Sequence, residues 1–370
     1  MDEEVMDPPA LSFRWMRDDD KRAVSALARR AFPPLGNVLF SPPPHTLVAE
    51  RDGQVIGAVV PKLFMLSGGR QGGATFWLMT NPEVHGSGVG GELVEAALRF
   101  FEDHGCQEVF ACVEGFNTSS SNLFAARGFS ILSLGEQLSR YGLVGTLALW
   151  LKMHRFGGDV GHFLWARPKS TSPDSPALQW LVSVLASTLV FVLAGWRFGS
   201  LEGFNPAVIL GLMLAILALF GLREAAMRLA ARLQGLSVRH RAWESAFPLS
   251  VGIALTLGVF FPTPGSVYPR SGAWRYRDLV PKLGPTAFAG ASAVLVFAWA
   301  MWVVMRFGML PSEVAVWVRA AHAAGLSLAL LDVLLPFSLF VSFSGRRVWD
   351  WNRLAWGVLA VAAAGLFLVR

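Results

Sequence analysis

Five stretches in the second half of the chain carry no charged side chain at all: residues 176–196, 204–222, 246–261, 286–305 and 354–369. Runs near 20 residues match the roughly 30 Å hydrocarbon core of a bilayer at about 1.5 Å rise per residue. In lipid a backbone must satisfy its own hydrogen bonds, and runs of this kind do so as helices. A further span is expected within 314–343, interrupted by Arg319, Asp332 and Pro336, which brings the expected total to about six. Packed as the core of a water-soluble fold, so many runs would leave little surface for water. The composition agrees, with 53% hydrophobic residues, 14 Trp and only 16% charged residues in 370.

The first half obeys different rules. Residues 76–105 read FWLMTNPEVHGSGVGGELVEAALRFFEDHG. A strand over 76–80 runs into a turn with Gly86, Gly88, Gly90 and Gly91, then into a helix closed by Gly105. Val89, Leu93, Ala97 and Phe100 share one face of that helix, while Glu92, Glu95 and Arg99 face elsewhere. Glycines let the backbone turn tightly against an anion, and the unbonded N–H groups opening the helix supply donors and a positive dipole end. This is the pattern of a phosphate cradle, although the same pattern also makes tight turns that bind nothing. A second strand over 108–113 is followed by a short helix from Asn117 that Gly128 closes.

Around this segment the chain reads in order. Residues 1–10, acidic with Pro8 and Pro9, are expected to form a disordered lead, and no leader-like apolar run follows them. A strand is expected over 11–16, a helix over 18–32, and an irregular loop over 33–44, which holds five prolines. Two apolar strands, 46–50 and 55–66, flank Arg51-Asp52-Gly53 as a hairpin. Residues 138–156 admit two readings, an extra helix on the sheet or a helix in the lipid interface with Trp150 and Phe156 inserted and Lys152 and Arg155 at the headgroups. A last strand over 161–167 precedes the linker PKSTSPDSP. Cys106 and Cys112, evenly spaced around one strand, are expected on one face of it and unpaired, as in a reducing compartment.

The glycine turn His85-Gly86-Ser87-Gly88-Val89-Gly90, with Asn117 eleven residues ahead of Gly128-Phe129, resembles the two signatures of the GNAT superfamily of acetyltransferases. The resemblance covers roughly 11–168. It implies acetyl-CoA as co-substrate, its pyrophosphate held on the amides of Gly86, Ser87, Gly88, Val89, Gly90 and Gly91, and an oxyanion held by strand N–H groups around Leu78, Met79 and Thr80. It implies direct attack of an amine on the thioester, with no covalent enzyme intermediate. Three departures matter. His85 stands where the family has Gln or Arg, Phe124 stands where many members carry a Tyr that protonates the departing thiolate, and the general base is unassigned. Glu83 and Glu114, near the ends of the two central strands, are the candidates for that base, and Asn117 is the family-matched residue beside them.

In the apolar half, Arg223-Glu224-Ala225-Ala226-Met227, Phe261-Pro-Thr-Pro-Gly-Ser-Val-Tyr268, Asp332-Val-Leu-Leu-Pro336 and Ser344-Gly345 resemble in order the membrane core of site-2 proteases. That family's two zinc-binding histidines fall on Arg223 and Met227, and its ligand aspartate falls on Ser344. Arginine repels a cation and neither Met nor Ser replaces imidazole or carboxylate well, so the resemblance implies a scaffold that binds no metal. Glu224 is then expected to pair with Arg228 four residues on, and Asp332 to be a buried hydrogen-bonding residue.

The expected fold class is thus an α+β mixed-sheet acetyltransferase domain over 11–168, a linker over 169–176, and an all-α polytopic membrane domain over 177–370. The expected protein is a multi-pass N-acetyltransferase of the cell membrane with its first domain cytoplasmic, acting on an amine acceptor at the bilayer. Alternatives are a non-catalytic acyl-CoA sensor regulating a membrane scaffold and, more remotely, an intramembrane metalloprotease. The net charge of +6 is spent largely beside the spans, at headgroups, and no motif for nucleic acid accompanies it.

Overall fold

The computed structural model describes residues 11–32, 40–153, 160–170, 175–197, 206–270, 273–336 and 340–369. The lead over 1–10, most of the proline-rich loop, residues 154–156 with Arg155 and Phe156, and part of the linker lie outside them. The chain divides into two compact units: Met1–Val113, Ser119–Met153 and Leu164–Pro173 make the first, and Glu114–Thr118, His154–Phe163 and Asp174–Arg370 the second.

A seven-stranded mixed sheet dominates the first unit: β1 (Ser12–Trp15), β2 (Leu47–Arg51), β3 (Gln54–Met65), β4 (Gln71–Thr80), β5 (Glu108–Glu114), β6 (Ser130–Ile131) and β7 (His162–Arg167), in the order β1-β2-β3-β4-β5-β7-β6. The first four strands are antiparallel neighbours, and β4 pairs with β5 in parallel. The β2–β3 hairpin turns at Asp52 and Gly53, both at positive φ, as its Asp-Gly sequence demands. Helices α1 (Lys21–Ala31), α2 (Val89–Asp103), α3 (Thr118–Ala125) and α4 (Leu134–Met153) cover the sheet. Side chains alternate along each strand, so Ala49, Val59, Val109 and Ala111 meet Leu93, Ala97 and Phe101 of α2. Val48, Ala58 and Met79 meet Val24 and Leu27 of α1, while Ala74 and Phe110 meet Tyr141, Leu149 and Met153 of α4.

Three expectations change here. The strand expected over 76–80 begins at Gln71, five residues earlier, because Gly72 and Gly73 are accommodated in the ladder: Gly73 lies directly under the buried ring of Phe101. Cys106 precedes β5 and packs with the α2 core, whereas Cys112 packs with the α4 core, so the two thiols sit on different faces; neither is in a disulfide, and burial pushes the Cys106 thiol up. Trp150 is buried, its Nε1 donating to Gln137 Oε1 at 2.6 Å, and so is not an inserted anchor. At the base of α4, Tyr141 and Arg140 both donate to Glu108, which also takes Arg70 at 2.6 Å, and burial together with the Glu108 carboxylate pushes the Tyr141 phenol up.

The second unit holds α5 (Pro176–Arg197), α6 (Pro206–Leu233), α7 (Phe247–Leu257), α8 (Tyr276–Phe307), α9 (Ser312–Ala329), a π-helical turn at Leu330–Leu334, α10 (Ser344–Trp351) and α11 (Arg353–Leu368). Among the described residues four segments are long and apolar enough to cross a membrane: α5, α6, α8, and α9 continued through Leu334. The expected six become four long helices and two shorter apolar ones. Residues 246–261 fall short because Gly258, left-handed at φ 61°, ends α7 after 11 residues; α11 has 16. A two-stranded antiparallel ladder, β8 (Val238–Arg241) with β9 (Ser266–Pro269), joins these helices, a feature the apolar pattern did not signal. Small residues let the helices approach closely: a Cβ on Gly211 of α6 would lie 2.7 Å from Trp317 Nε1 on α9, and one on Gly290 of α8 would press on Met227 of α6.

A Cβ at Gly73 would stand 2.8 Å from Phe101 Cε1, in a core with no room to yield. Gly73→Ala is expected to destabilise the first unit by about 1–3 kcal/mol. Gly135→Ala, where nothing lies within 4 Å, is the control expected to be near neutral in the same thermal melt.

Candidate functional site

The ladder between β4 and β5 runs from Gly72↔Glu108 to Thr75↔Ala111 and stops there. On its other side β4 stays paired to β3 through Thr80↔Gly57, with an irregularity between Val60 and Pro61 that leaves Phe76 as the extra residue. Pro61 has no N–H to give the ladder, and a bulge of this kind turns the strand. Residues 76–80 therefore lie along an edge that β5 has left. Leu78 and Thr80 are half-buried on this stretch and Met79 is buried towards α1. Thr75 Oγ1 and Trp77 Nε1, on the same strand, are buried and have no hydrogen-bond partner among the described residues.

Past Thr80 the backbone makes a tight 3-10 turn at Pro82–Val84, capped by Asn81, whose Oδ1 accepts from Glu83 N at 3.3 Å. Asn81 Nδ2 donates to Glu83 Oε2 at 3.1 Å, so the exposed Glu83 carboxylate is held against its own turn. Ser87 Oγ donates back to Val84 O at 2.7 Å, and His85 is exposed. Gly86 and Gly88 take φ values of 85° and 88°, the left-handed region that side chains rarely adopt. Gly88 is the N-cap of α2, and no side chain caps it. The first helical bond there is Glu92 N to Gly88 O at 3.1 Å, which leaves the N–H groups of Val89, Gly90 and Gly91 open at the positive end of the helix. A Cβ on Gly86 would meet nothing within 4 Å, so the turn is open at that residue. An open row of N–H donors and a left-handed glycine turn suit an anionic phosphate chain.

Arg127 is the residue that sequence reading missed. It reaches from the end of α3 to donate Nε to Gly91 O at 2.9 Å and NH1 to Leu123 O at 3.0 Å, and it pairs with Glu95 at 3.1 Å. It ties the first turn of α2 to α3 and so fixes the glycine turn from behind. Its only signal in the sequence was its place beside Gly128-Phe129.

The remaining candidates sit elsewhere. Phe124 is buried against Phe129, with ring centroids 5.2 Å apart, inside the core that holds Val89 and Leu93. It lines no open surface, because an apolar ring with no polar atom gains most from that burial. Glu114 and Asn117 belong to the second unit. Glu114 Oε2 accepts from Phe116 N at 2.8 Å and Oε1 from Ser342 Oγ at 2.6 Å, and Asn117 N donates to Glu114 O at 3.0 Å. The Phe116 ring stacks on Tyr268 at 4.6 Å and lies 4.3 Å from the Arg347 guanidinium.

The residues singled out in the apolar half come together. Arg223 donates Nε and NH2 to the two oxygens of Asp332 at 3.0 and 2.9 Å, NH1 to Gly265 O at 3.1 Å and NH2 to Ser344 Oγ at 3.2 Å. Asp332 Oδ1 also accepts from Ser344 N at 2.8 Å. Glu224 pairs with Arg228 at 2.6 Å and with His240 Nδ1 at 3.0 Å. Arg223, Asp332 and Ser344 are buried almost completely, and no group of three or more His, Cys, Asp or Glu able to hold a metal occurs among the described residues. Arg347 is also buried, donating to Ser342 O at 2.9 Å and Ser266 Oγ at 3.2 Å, so it is not one of the headgroup cations counted from sequence.

Residues 10–129 match the Acetyltransferase (GNAT) family. The parted strands and the glycine turn both lie within this matched segment. Among solved structures the chain is similar to the NatC complex bound to Gag peptide and CoA, at 16% identity over 43% of this chain and 99% of that one, with a TM-score of 0.32. It is similar also to N-acetylglutamate synthase from Neisseria gonorrhoeae complexed with coenzyme A and N-acetyl-glutamate, at 20% identity over 44% of this chain and 35% of that one, with a TM-score of 0.33. A third is a GNAT family acetyltransferase from Brucella melitensis in complex with acetyl-CoA, at 20% identity over 33% and 83%, with a TM-score of 0.27. No curated protein matches the sequence.

Removing one partner of a buried ion pair strands the other, so Arg223→Ala or Asp332→Ala alone is expected to cost about 3–5 kcal/mol. The double variant Arg223→Met with Asp332→Leu is expected to cost less than the sum of the singles, read as melting temperature in detergent.

Proposed function

We propose that the protein is a membrane-anchored N-acetyltransferase that carries acetyl from acetyl-CoA to an amine by direct attack. The observation that carries the reading is the uncapped, glycine-built start of α2 beside the stretch of β4 that β5 has left, in a segment matching the GNAT family. The amides from Gly86 to Gly91 would take the pyrophosphate, and N–H groups around Leu78 to Thr80 would face the thioester oxygen. Acetyl-CoA supplies the activated acyl group; the chain's own residues orient it and shield it from water. Glu83 and Glu114 are the two candidate bases, each a carboxylate that keeps lone pairs free to accept a proton beside the hydrogen bonds it already takes. Four membrane-length helices are the basis for the anchor, and an acetyl-CoA-dependent reaction favours a cytoplasmic face for the first unit. The acceptor proposed is a membrane-held amine, on a lipid or a protein.

The second reading, a non-catalytic acyl-CoA sensor, is favoured by Phe124, which offers no hydroxyl to the leaving thiolate. Purified full-length protein with labelled acetyl-CoA and a panel of amines separates the two: saturable binding without transfer to any amine favours the sensor. Gly88→Glu is expected to weaken acetyl-CoA binding about 100-fold or more by calorimetry, since it puts both a side chain at positive φ and a negative charge into the cradle. Glu83→Gln and Glu114→Gln, compared on the same preparation, identify the base: the variant that removes it is expected to slow transfer about 100-fold with acetyl-CoA binding kept, and the other to change it little.

A further inference from the structure

Helix α4 has two apolar faces, and only one of them is used. Tyr141, Leu149 and Met153 pack on the sheet. On the other side Leu143, Val144, Leu147 and Leu151 form a continuous stripe at i, i+4 and i+8 with one neighbour, exposed by 66, 80, 45 and 75%. Met65, at the end of β3, is exposed by 52% beside Lys152, which donates Nζ to its carbonyl at 2.6 Å. Large aliphatic side chains left so open in one patch mark a surface that something covers.

We infer that this outer face of α4 lies in the headgroup region of the bilayer, with Leu143, Val144, Leu147 and Leu151 in the acyl boundary and Lys152 at the phosphates. The inference deepens the reading above and rests on α5, α6, α8 and α9 crossing that bilayer. Three observations favour lipid as the occupant. Residues 138–153 contain no Asp or Glu, and Glu136 earlier on the helix is buried and paired with Arg140, so no exposed acid on the helix opposes an anionic surface, while Lys152 complements one. The chain brings its own bilayer: only residues 168–175 separate β7 from α5, a tether that reaches no more than about 30 Å fully extended. Tethering then makes docking effectively intramolecular, so a stripe of four aliphatic residues suffices where a free helix would need more. On this inference the interfacial and sheet-packed readings of the segment apply to opposite faces, with the leucines and Val144 inserted instead of the buried Trp150.

The test uses the full chain in nanodiscs of phosphatidylcholine with phosphatidylglycerol. Val144→Cys, Leu151→Cys, Leu214→Cys on α6 and Gln54→Cys at the exposed start of β3 are each made with Cys106 and Cys112 replaced by Ser and labelled with a small fluorophore. Acyl-chain spin-labelled lipids are expected to quench positions 144, 151 and 214 about threefold or more above position 54. Water-soluble iodide is expected to show the opposite order. Quenching at 214 but not at 144 and 151 overturns the docking of α4 alone, and protection of 144 and 151 from both quenchers shows that a protein, either a second copy or a partner, covers the face instead. Loss of lipid quenching at 214 as well overturns the membrane reading beneath it. Acetyl-CoA binding, measured on the same samples, stands or falls independently.

Discussion

The separation of β4 from β5 after Thr75 and Ala111 is the constraint on which the first unit's chemistry depends. A parallel pair cannot be joined by a tight turn, so a helix must cross between them, and α2 starts where β4 ends. Because the strands part there, the start of α2 and the free edge of β4 open into the same space. Phe76 as an extra residue opposite Pro61 provides the local bend, and Arg127 holds the first turn of α2 from behind. Donors at the helix start and along the strand are backbone groups, so the proposed site would rest on main-chain geometry more than on side chains such as His85.

The second unit depends on a different interaction. Arg223 and Asp332 are buried from helices far apart in sequence, and the guanidinium fork matches the carboxylate with two nearly equal bonds. Asp332 stands in a π-helical turn and also accepts the backbone N–H that starts α10, so one carboxylate joins α6, the end of α9 and α10. Gly345 is required beside it, since a Cβ there would lie 2.8 Å from Val333 O. Such pairs cost desolvation and are weak evidence for stability, but they discriminate strongly among helix registers. A permanently charged guanidinium at the centre also repels a divalent cation.

Much of this was legible in sequence, for identifiable reasons. Strands β2, β3 and β5, the hairpin at Asp52-Gly53 and the glycine turn carry strong local signals, a period of two or an obligatory glycine. What escaped was decided by tertiary context. The first half of β4 holds Gly72 and Gly73, poor strand formers that the ladder and Phe101 impose. The β8–β9 ladder lies in segments holding Arg239, Arg241 and Pro269, where neither apolar alternation nor a short turn announces a pair. Two charge-free runs form helices of 11 and 16 residues: Gly258 ends α7, and Asn352, whose Oδ1 accepts from Leu354 N and Ala355 N, starts α11. Burial of Arg347 and Trp150 was likewise beyond a pattern that reads cations and tryptophans as interface residues.

Phe124 shows how the fold bears on the chemistry. Its position reads in sequence as an active-site aromatic that has lost a hydroxyl, but its ring is almost wholly buried and edge-on to Phe129. A hydroxyl inside that core would need a partner, at a cost of about 1–3 kcal/mol if unmet. In the proposed transfer the departing thiolate would then leave without a proton from this side chain. That demand is modest, since a thiol with a pKa near 8.5 is a good leaving group near neutrality, unlike an alkoxide. What acetyl transfer cannot forgo is stabilisation of the oxyanion and orientation of the thioester. In the proposed reaction both would fall to the backbone of β4 and the start of α2, the parts of the unit where the glycine turn and the strand separation lie.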